Sequence, residues 1–193
     1  MPYTIIKLQQ GTDAWHEWRE QGIGSSEAPV IMGENPWKSA DDLFKVRCRR
    51  KREETNPAMA RGTALEPEAR RCYESRTGFP VYPACLQNSE RQWLRASVDG
   101  LAGDGESVVE IKCGERTYHR AFQSRKVPDY YYGQLQHILA VTGLFRIDFF
   151  CYHPDRPEVH LQIERSGSYI DRLLEAEWAF WQKLERFRLD SGG

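Results

Sequence analysis

The chain has 193 residues, of which 40% are hydrophobic and 12% aromatic, and its formal net charge is −1. This composition excludes an intrinsically disordered chain and is sufficient for one buried core, so we expect a single domain over residues 1–193. No apolar run approaches the ~20 residues of a membrane span, and the N-terminal segment lacks the layout of a secretory signal, which favours a cytoplasmic protein. The five scattered cysteines form no CxxC pair, which argues against a disulfide framework, a zinc ribbon and an iron–sulfur cluster.

A strongly basic run covers residues 45–52, although the whole chain is nearly neutral. Two interpretations of this run stay open from the sequence, a solvated helix end and a surface that contacts phosphate. The total charge therefore neither indicates nor excludes binding to nucleic acid.

The N-terminal part of the chain predicts four helices. Three of them have a capping or start residue, and each of the four shows apolar residues at helical spacing or a glycine at its end. On these signals we predict helices over residues 13–20, from Ser25 or Ser26 to Gly33, from Ser39 onward, and from Asn56 to Gly78.

The middle of the chain changes to the short segments and turn residues that are typical of strands. We predict strands over residues 81–88, 93–98 and 108–113, then a helix over 129–142, a hairpin of strands 146–153 and 158–164, and a terminal helix over 169–189. This order predicts a fold of the α/β or α+β class, with a central mixed β-sheet flanked by helices.

Two carboxylates and one ammonium group are predicted to meet at one end of the sheet. Asp99 ends a strand just before Gly100, and the hairpin that follows brings Asp99 next to Glu110. Because strand side chains alternate, Glu110 and Lys112 share one face while Ile111 points into the core. We expect Glu110 and Lys112 to face solvent at this site.

This combination suits phosphodiester hydrolysis. Oxygen ligands such as Asp99, Glu110 and the backbone carbonyl of Ile111 favour Mg²⁺, for which Mn²⁺ can substitute. Such a metal activates water and stabilises the leaving oxygen, and Lys112 can hold the attacking hydroxide. A Glu-x-Lys pattern alone is common, so a surface salt bridge on an edge strand stays open as the alternative.

Further segments carry a resemblance to a known family. The segment 61–66 lies on a predicted helix and ends with the carboxylate of Glu66. Nearer the N-terminus, the segment Gly11 to Trp15 leads to Arg19 and is followed by residues 23–27. Gln134 lies on the helix after the strands. In order and spacing, residues 11–136 resemble the phage lambda exonuclease group, also described as YqaJ-like viral recombinases, within the PD-(D/E)xK nuclease superfamily.

The resemblance implies a restriction-endonuclease-like core and a single nuclease domain. It implies a 5′→3′ exonuclease that digests one strand of linear double-stranded DNA and leaves a 3′ single strand for recombination, and it implies a homotrimer with a single-strand annealing protein as partner. By position, the resemblance implies a catalytic set of Glu66, Asp99, Glu110 and Lys112, with Gln134 as an auxiliary residue. It also implies a pocket for the 5′-phosphate formed by Arg19, Ser26 and Ser97.

Ordinary structural roles remain open for several of these residues. Arg19 can be a helix-surface arginine, Ser26 a helix cap that also favours an anion, and Gln134 a core amide. Met59, as an apolar wedge, and Tyr131 are candidate DNA contacts, and packing is the alternative for Tyr131. Two other functions also stay open, an endonuclease of the same fold and a DNA-binding module without catalysis.

Overall fold

The computed structural model describes residues 1–49 and 57–191. Within this part of the chain, seven helices surround one seven-stranded sheet. The helices are α1 (Asp13–Glu20), α2 (Ala28–Ile31), α3 (Ala40–Cys48), α4 (Pro57–Thr77), α5 (Glu115–Ser124), α6 (Asp129–Thr142) and α7 (Gly167–Asp190). The strands are β1 (Tyr3–Ile6), β2 (Ile23–Gly24), β3 (Val81–Asn88), β4 (Leu94–Ala102), β5 (Val108–Lys112), β6 (Arg146–Cys151) and β7 (Val159–Glu164).

The sheet is mixed, as the sequence predicts. Its strand order is β1-β3-β4-β5-β6-β7, and the short strand β2 pairs with β4 outside this path. The β2–β4 and β5–β6 pairs are parallel and the other pairs are antiparallel. The predicted class, a mixed sheet flanked by helices, is confirmed.

The two faces of the sheet carry separate parts of the core. On one face α6 packs Leu135 and Ile138 into a cluster with Phe149. On the other face α4 packs Tyr73 into a cluster that includes Ile111. Ile111 therefore points into the core as predicted, and its neighbours along β5 point to the α6 side.

One capping prediction is confirmed by a hydrogen bond and another is wrong. Ser39 accepts from the backbone N–H of Asp42 and begins α3. At the second helix, neither Ser25 nor Ser26 is the cap, because residues 25–27 form a 3₁₀ turn whose N-cap is Gly24. Glu27 reaches back and accepts from the N–H of Gly24 at 2.9 Å, so the serine hydroxyls are not needed for capping.

The predicted end of the strand at Asp99 is also wrong. The strand β4 continues to Ala102, so Asp99 lies inside it. Gly100 resembles a turn signal in the sequence, but a Cβ at this position would lie 2.7 Å from side-chain atoms of Val81 and Val109. The glycine is therefore explained by close packing within the sheet and not by a turn.

Three elements have weak signals in the sequence and were not predicted. The strands β1 and β2 have only 4 and 2 residues. The helix α5 buries only Thr117, Tyr118 and Ala121, so its apolar face is narrow.

The described part of the basic run has a structural role. Arg47 donates to the carboxylate of Glu27 at 2.7 Å and to the backbone carbonyls of Glu20 and Gly22. Arg47 therefore ties α3 to the segment around β2 and is not simply solvated. Arg50 to Arg52 and Asn56 lie outside the described residues. No helix in the described ranges has both the length and the apolar character needed to cross a bilayer.

A fully buried polar pair joins α6 to α7 and to β4. His137 Nε2 lies 2.8 Å from the backbone carbonyl oxygen of Arg95, and His137 Nδ1 lies 2.7 Å from Glu177 Oε1. Both side chains are inaccessible to solvent. Since a carbonyl oxygen can only accept, Nε2 is the donor to Arg95, and one proton is shared between Nδ1 and Glu177.

We predict that Glu177→Leu destabilises the fold by about 3–5 kcal/mol, because it leaves His137 buried without its partner. Urea denaturation of the two proteins measures this difference. Glu175→Leu, at an exposed position on the same helix, is the matched control and should change the free energy of unfolding by about 0.5 kcal/mol or less. Equal stability of both variants would contradict a structural role for the pair.

Candidate active site

Two carboxylates lie side by side on neighbouring strands. The β4–β5 register pairs Gly100 with Val109, which places Asp99 opposite Glu110. Asp99 Oδ2 accepts a hydrogen bond of 2.8 Å from the backbone N–H of Ile111. The backbone of β5 therefore fixes the orientation of the Asp99 carboxylate.

Glu110 is the most constrained side chain of this group. Its Oε1 accepts from Lys112 Nζ at 2.6 Å and from Gln134 Nε2 at 2.7 Å. Glu110 is only 3% exposed, and the Lys112 side chain is 20% exposed. The expectation that Glu110 and Lys112 face solvent is therefore wrong for Glu110, because α6 covers this part of β5 and brings Gln134 over it.

Burial raises the pKa of each carboxyl group at this site. It raises the pKa of Glu110 to about 7, with a further contribution from the negative charge of Asp99. Burial also raises the pKa of Asp99 and raises that of Glu66, on α4, to about 7, again with a contribution from Asp99. Burial opposes the charge of Lys112, but Glu110, Tyr131 and Asp99 more than offset it, so the pKa of Lys112 lies above its ordinary value. The lysine is therefore a stable cation.

The residues at this point fit a divalent cation. Glu110 Oε2 is buried and accepts no hydrogen bond from the described residues. A buried carboxylate oxygen without a donor is costly, and a cation would satisfy it. No group of three His, Cys, Asp or Glu side chains in the described ranges is arranged as a metal cage. Two carboxylates are nevertheless sufficient for Mg²⁺, which keeps several waters and takes substrate phosphate as a ligand.

A pocket of about 150 Å³ adjoins the two carboxylates. Trp15, Arg19, Ser26 and Ser97 line its outer part together with Gln10, Trp18, Gly24, Ser25, Arg95 and Ala96, and the carboxylate end is formed by Asp99, Glu110 and Gln134. The structure thus brings all three residues of the predicted phosphate pocket into one cleft with Asp99 and Glu110.

Arg19 is held in place at the mouth of this cleft. Its Nη2 donates to Ser26 Oγ at 3.0 Å, and its guanidinium lies 4.6 Å from the centroid of the Trp15 ring. Trp15 Nε1 in turn donates to Ser97 Oγ at 2.8 Å. A Cβ at Gly24 would lie 3.3 Å from Arg19 Nη2, so glycine leaves room for the guanidinium. Arg19 forms no ion pair within residues 1–49 and 57–191, so its charge is available to an anion.

Two residues at the site were missed in the sequence. Trp15 orients both Arg19 and Ser97, and its only signal was its place in the segment that leads to Arg19. Arg70, on α4, donates to the backbone carbonyl of Asp99 at 2.9 Å. No sequence pattern distinguishes Arg70 from an exposed helix arginine.

The two candidate DNA contacts lie in different surroundings. Met59 is 50% exposed in the first turn of α4. The Tyr131 ring lies 4.6 Å from Lys112 Nζ and packs against Phe149, and its hydroxyl is 3.3 Å from that of Thr117. Packing beneath the lysine accounts for Tyr131, and Met59 stays a prediction.

Comparisons with known proteins agree with this fold. A family model for the YqaJ-like viral recombinase domain matches residues 14–144. The uncharacterized protein YqaJ of Bacillus subtilis is 28% identical over 179 residues, which are 90% of this chain and 56% of that protein. The chain therefore spans little more than half the length of this relative.

Solved structures of similar fold include exonucleases. An alkaline exonuclease, LHK-Exo of Laribacter hongkongensis, is 28% identical with a TM-score of 0.82, and the match covers 93% of this chain and 96% of that one. For its complex with dAMP the identity is 30%, the TM-score 0.79 and the coverage 91% and 93%. A phage-related exonuclease of Haemophilus somnus shares the fold at a TM-score of 0.63 and 14% identity, over 89% and 96% of the two chains.

The predicted resemblance to the lambda exonuclease group is confirmed by the family model, which covers more than half of the chain, and by the shared exonuclease fold. The chain belongs to the YqaJ-like viral recombinase domain family.

Proposed function

We propose that the protein is a metal-dependent DNA exonuclease that removes nucleotides from the 5′ end of one strand of linear duplex DNA. The observation that carries this proposal is the cleft in which Arg19, Ser26 and Ser97 lead directly to Asp99 and Glu110. A cation beside a serine hydroxyl suits a phosphate group, and the carboxylates beyond it suit the cleavage of a phosphodiester.

The relatives support the same chemistry. LHK-Exo is an alkaline exonuclease, and one of its structures contains dAMP, a nucleoside monophosphate. A mononucleotide is the product that an exonuclease releases when it cuts one nucleotide from a strand end. The cleft of the present chain, about 150 Å³, has room for a phosphate group.

Asp99, Glu110 and the backbone carbonyl of Ile111 would hold Mg²⁺, or Mn²⁺ in its place. The bound ion would supply the charge that polarises the phosphoryl oxygen and lowers the pKa of a water. Gln134 and Lys112 keep the Glu110 carboxylate oriented, because both donate to the same oxygen. Lys112 places a permanent positive charge where negative charge develops. Glu66, with its pKa raised to about 7, can exchange a proton at neutral pH.

The pocket also supports the direction of digestion. If it binds a 5′-phosphate, the next phosphodiester lies toward Asp99 and Glu110, and each cut presents a new 5′-phosphate to Arg19. The other strand then remains as a 3′ single-stranded overhang, which a single-strand annealing protein can use in recombination.

We further propose a homotrimer in the cytoplasm as the working assembly. A compact chain of 193 residues has a radius of gyration of about 16 Å. One such chain is too small to enclose a duplex, so continuous digestion without release favours a ring of several subunits.

The catalytic assignment predicts that Lys112→Ala and Glu110→Gln each lower the rate of DNA cleavage by at least about a hundredfold. The reason is that each removes a group that touches the reacting centre. Release of mononucleotides from linear duplex in Mg²⁺ measures the rate, and circular dichroism verifies folding. Lys7→Ala, at an exposed position on the approach to α1, is the control. Near-normal digestion by folded Lys112→Ala protein would refute the assignment.

The metal assignment predicts that affinity for Mn²⁺ falls as the pH decreases from 8 to 6. Only ionised carboxylates bind a cation, and the pKa of Glu110 is raised to about 7, so most of this group is protonated at pH 6 and ionised at pH 8. We expect about a tenfold weaker affinity at pH 6 for each such carboxylate in the site. Calorimetric titration with Mn²⁺ measures this without turnover. The same affinity at both pH values would contradict a metal held by Glu110.

The phosphate pocket predicts a preference for ends that carry a 5′-phosphate over ends with a 5′-hydroxyl. Arg19→Ala should slow digestion of phosphorylated ends by about ten- to hundredfold, because a charge-assisted contact contributes about 1.5–3 kcal/mol. Arg91→Ala, at an exposed position on the turn before β4, is the matched control.

A closed circular duplex completes this experiment, because it offers no strand end. Equal rates on both kinds of end and on the circle, unaffected by Arg19→Ala, would show an endonuclease and a wrongly assigned pocket.

A further inference from the structure

An exposed tryptophan is connected to the catalytic lysine through a chain of aromatic rings. Trp37 is 61% exposed, and its ring makes an edge contact with Tyr130 at 4.8 Å between centroids. Tyr130 in turn contacts Tyr131 at 4.8 Å, and Tyr131 lies beneath Lys112 Nζ. The exposed indole is therefore close to the site and rests on a buried ring.

The position of Trp37 is set by its own loop. Asn35 Oδ1 accepts from the backbone N–H groups of Trp37 and Lys38 at 2.9 and 3.0 Å. Tyr130, only 7% exposed, supports the ring from below. Because the loop and the support are both fixed, the exposed face of the indole is preorganised for a flat partner.

Positive charge lies next to this aromatic surface. The Arg120 guanidinium lies 5.6 Å from the centroid of the Tyr130 ring, and Arg116 is one turn earlier on the exposed side of α5. The neighbouring carboxylate, Glu115, contacts Arg156 and His119 and does not pair with Arg116. Neither Arg116 nor Arg120 forms an ion pair in the described part of the chain. We name the surface formed by Trp37, Tyr130, Arg116 and Arg120 the Trp37 surface.

We propose that the Trp37 surface binds single-stranded DNA, namely the undigested strand as it becomes unpaired, an inference that rests on the proposed function. Stacking on an aromatic ring needs a base whose face is free, and bases inside a duplex cover one another. Guanidinium groups beside the ring match the phosphates of such a strand. None of the four residues lines the cleft that contains Arg19, so the Trp37 surface takes a different part of the substrate from the 5′ end.

The test measures how tightly the full chain binds a fluorescein-labelled oligothymidine of twenty nucleotides in EDTA, with fluorescence anisotropy as the signal. Trp37→Ala should weaken binding about tenfold, the size of one stacked base, and Trp37→Phe should restore most of it. Phe145→Ala is the matched control, because Phe145 is 85% exposed just before β6, at the end of that strand far from Lys112. Thermal unfolding verifies that each variant is folded.

A second pair of variants tests the charges. The double variant Arg116→Gln and Arg120→Gln should reduce the slope of log affinity against log salt concentration by about 1.4, since each phosphate contact to a single strand contributes about 0.7. Arg186→Gln, at an exposed position near the end of α7, should leave the slope unchanged.

Three results would overturn the proposal. Equal affinities of the Trp37→Ala and Phe145→Ala proteins would exclude stacking on Trp37. If Trp37→Ala lowers the affinity for a blunt hairpin duplex as much as the affinity for the oligothymidine, the surface binds duplex DNA. A change in sedimentation coefficient of Trp37→Ala would identify a contact between subunits. These results are distinct from a failure of the proposed function, since a protein without nuclease activity in Mg²⁺ can still show Trp37-dependent binding in EDTA.

Discussion

The structure depends on one buried carboxylate. Glu110 lies on β5, beside β4 and under α6. Its Oε1 accepts from both Lys112 and Gln134, while Oε2 has no donor among the described residues. Burying a carboxylate is costly unless it is paired, so β5 and α6 must meet at this point for the site to exist. The unpaired oxygen makes the same point suitable for a cation.

The rest of the fold keeps this carboxylate and its neighbours in register. The β4–β5 pairing sets Asp99 opposite Glu110, and the N–H of Ile111 fixes the Asp99 oxygen. On the helix side, His137 lies one turn beyond Gln134 and is bound to the backbone of Arg95 and to Glu177. The buried pair of His137 and Glu177 therefore holds α6 against the strand that carries Asp99.

The N-terminal segment adds a positively charged side chain to this centre. The Trp15 ring stacks with Arg19 and its N–H binds Ser97, so a single side chain links α1 to β4. The cleft that results contains the Arg19 guanidinium together with the carboxylates of Asp99 and Glu110, and the proposed function assigns these groups to a 5′-phosphate and a metal ion. Glycine at position 24 is part of the same arrangement, because a larger residue would press on Arg19.

The sequence by itself determined the helices with clear caps, the alternating strands and the candidate residues Asp99, Glu110 and Lys112, because these depend on local periodicity and residue chemistry. Only the tertiary structure decided that Glu110 is buried, that Gly24 and not a serine is the N-cap of the 3₁₀ turn, and that Gly100 serves packing inside β4. Likewise, only the fold brings Arg19 and Trp37 near the site from distant parts of the chain. The physical reason is that burial, pKa and the juxtaposition of charges arise from contacts between elements, and local sequence does not encode those contacts.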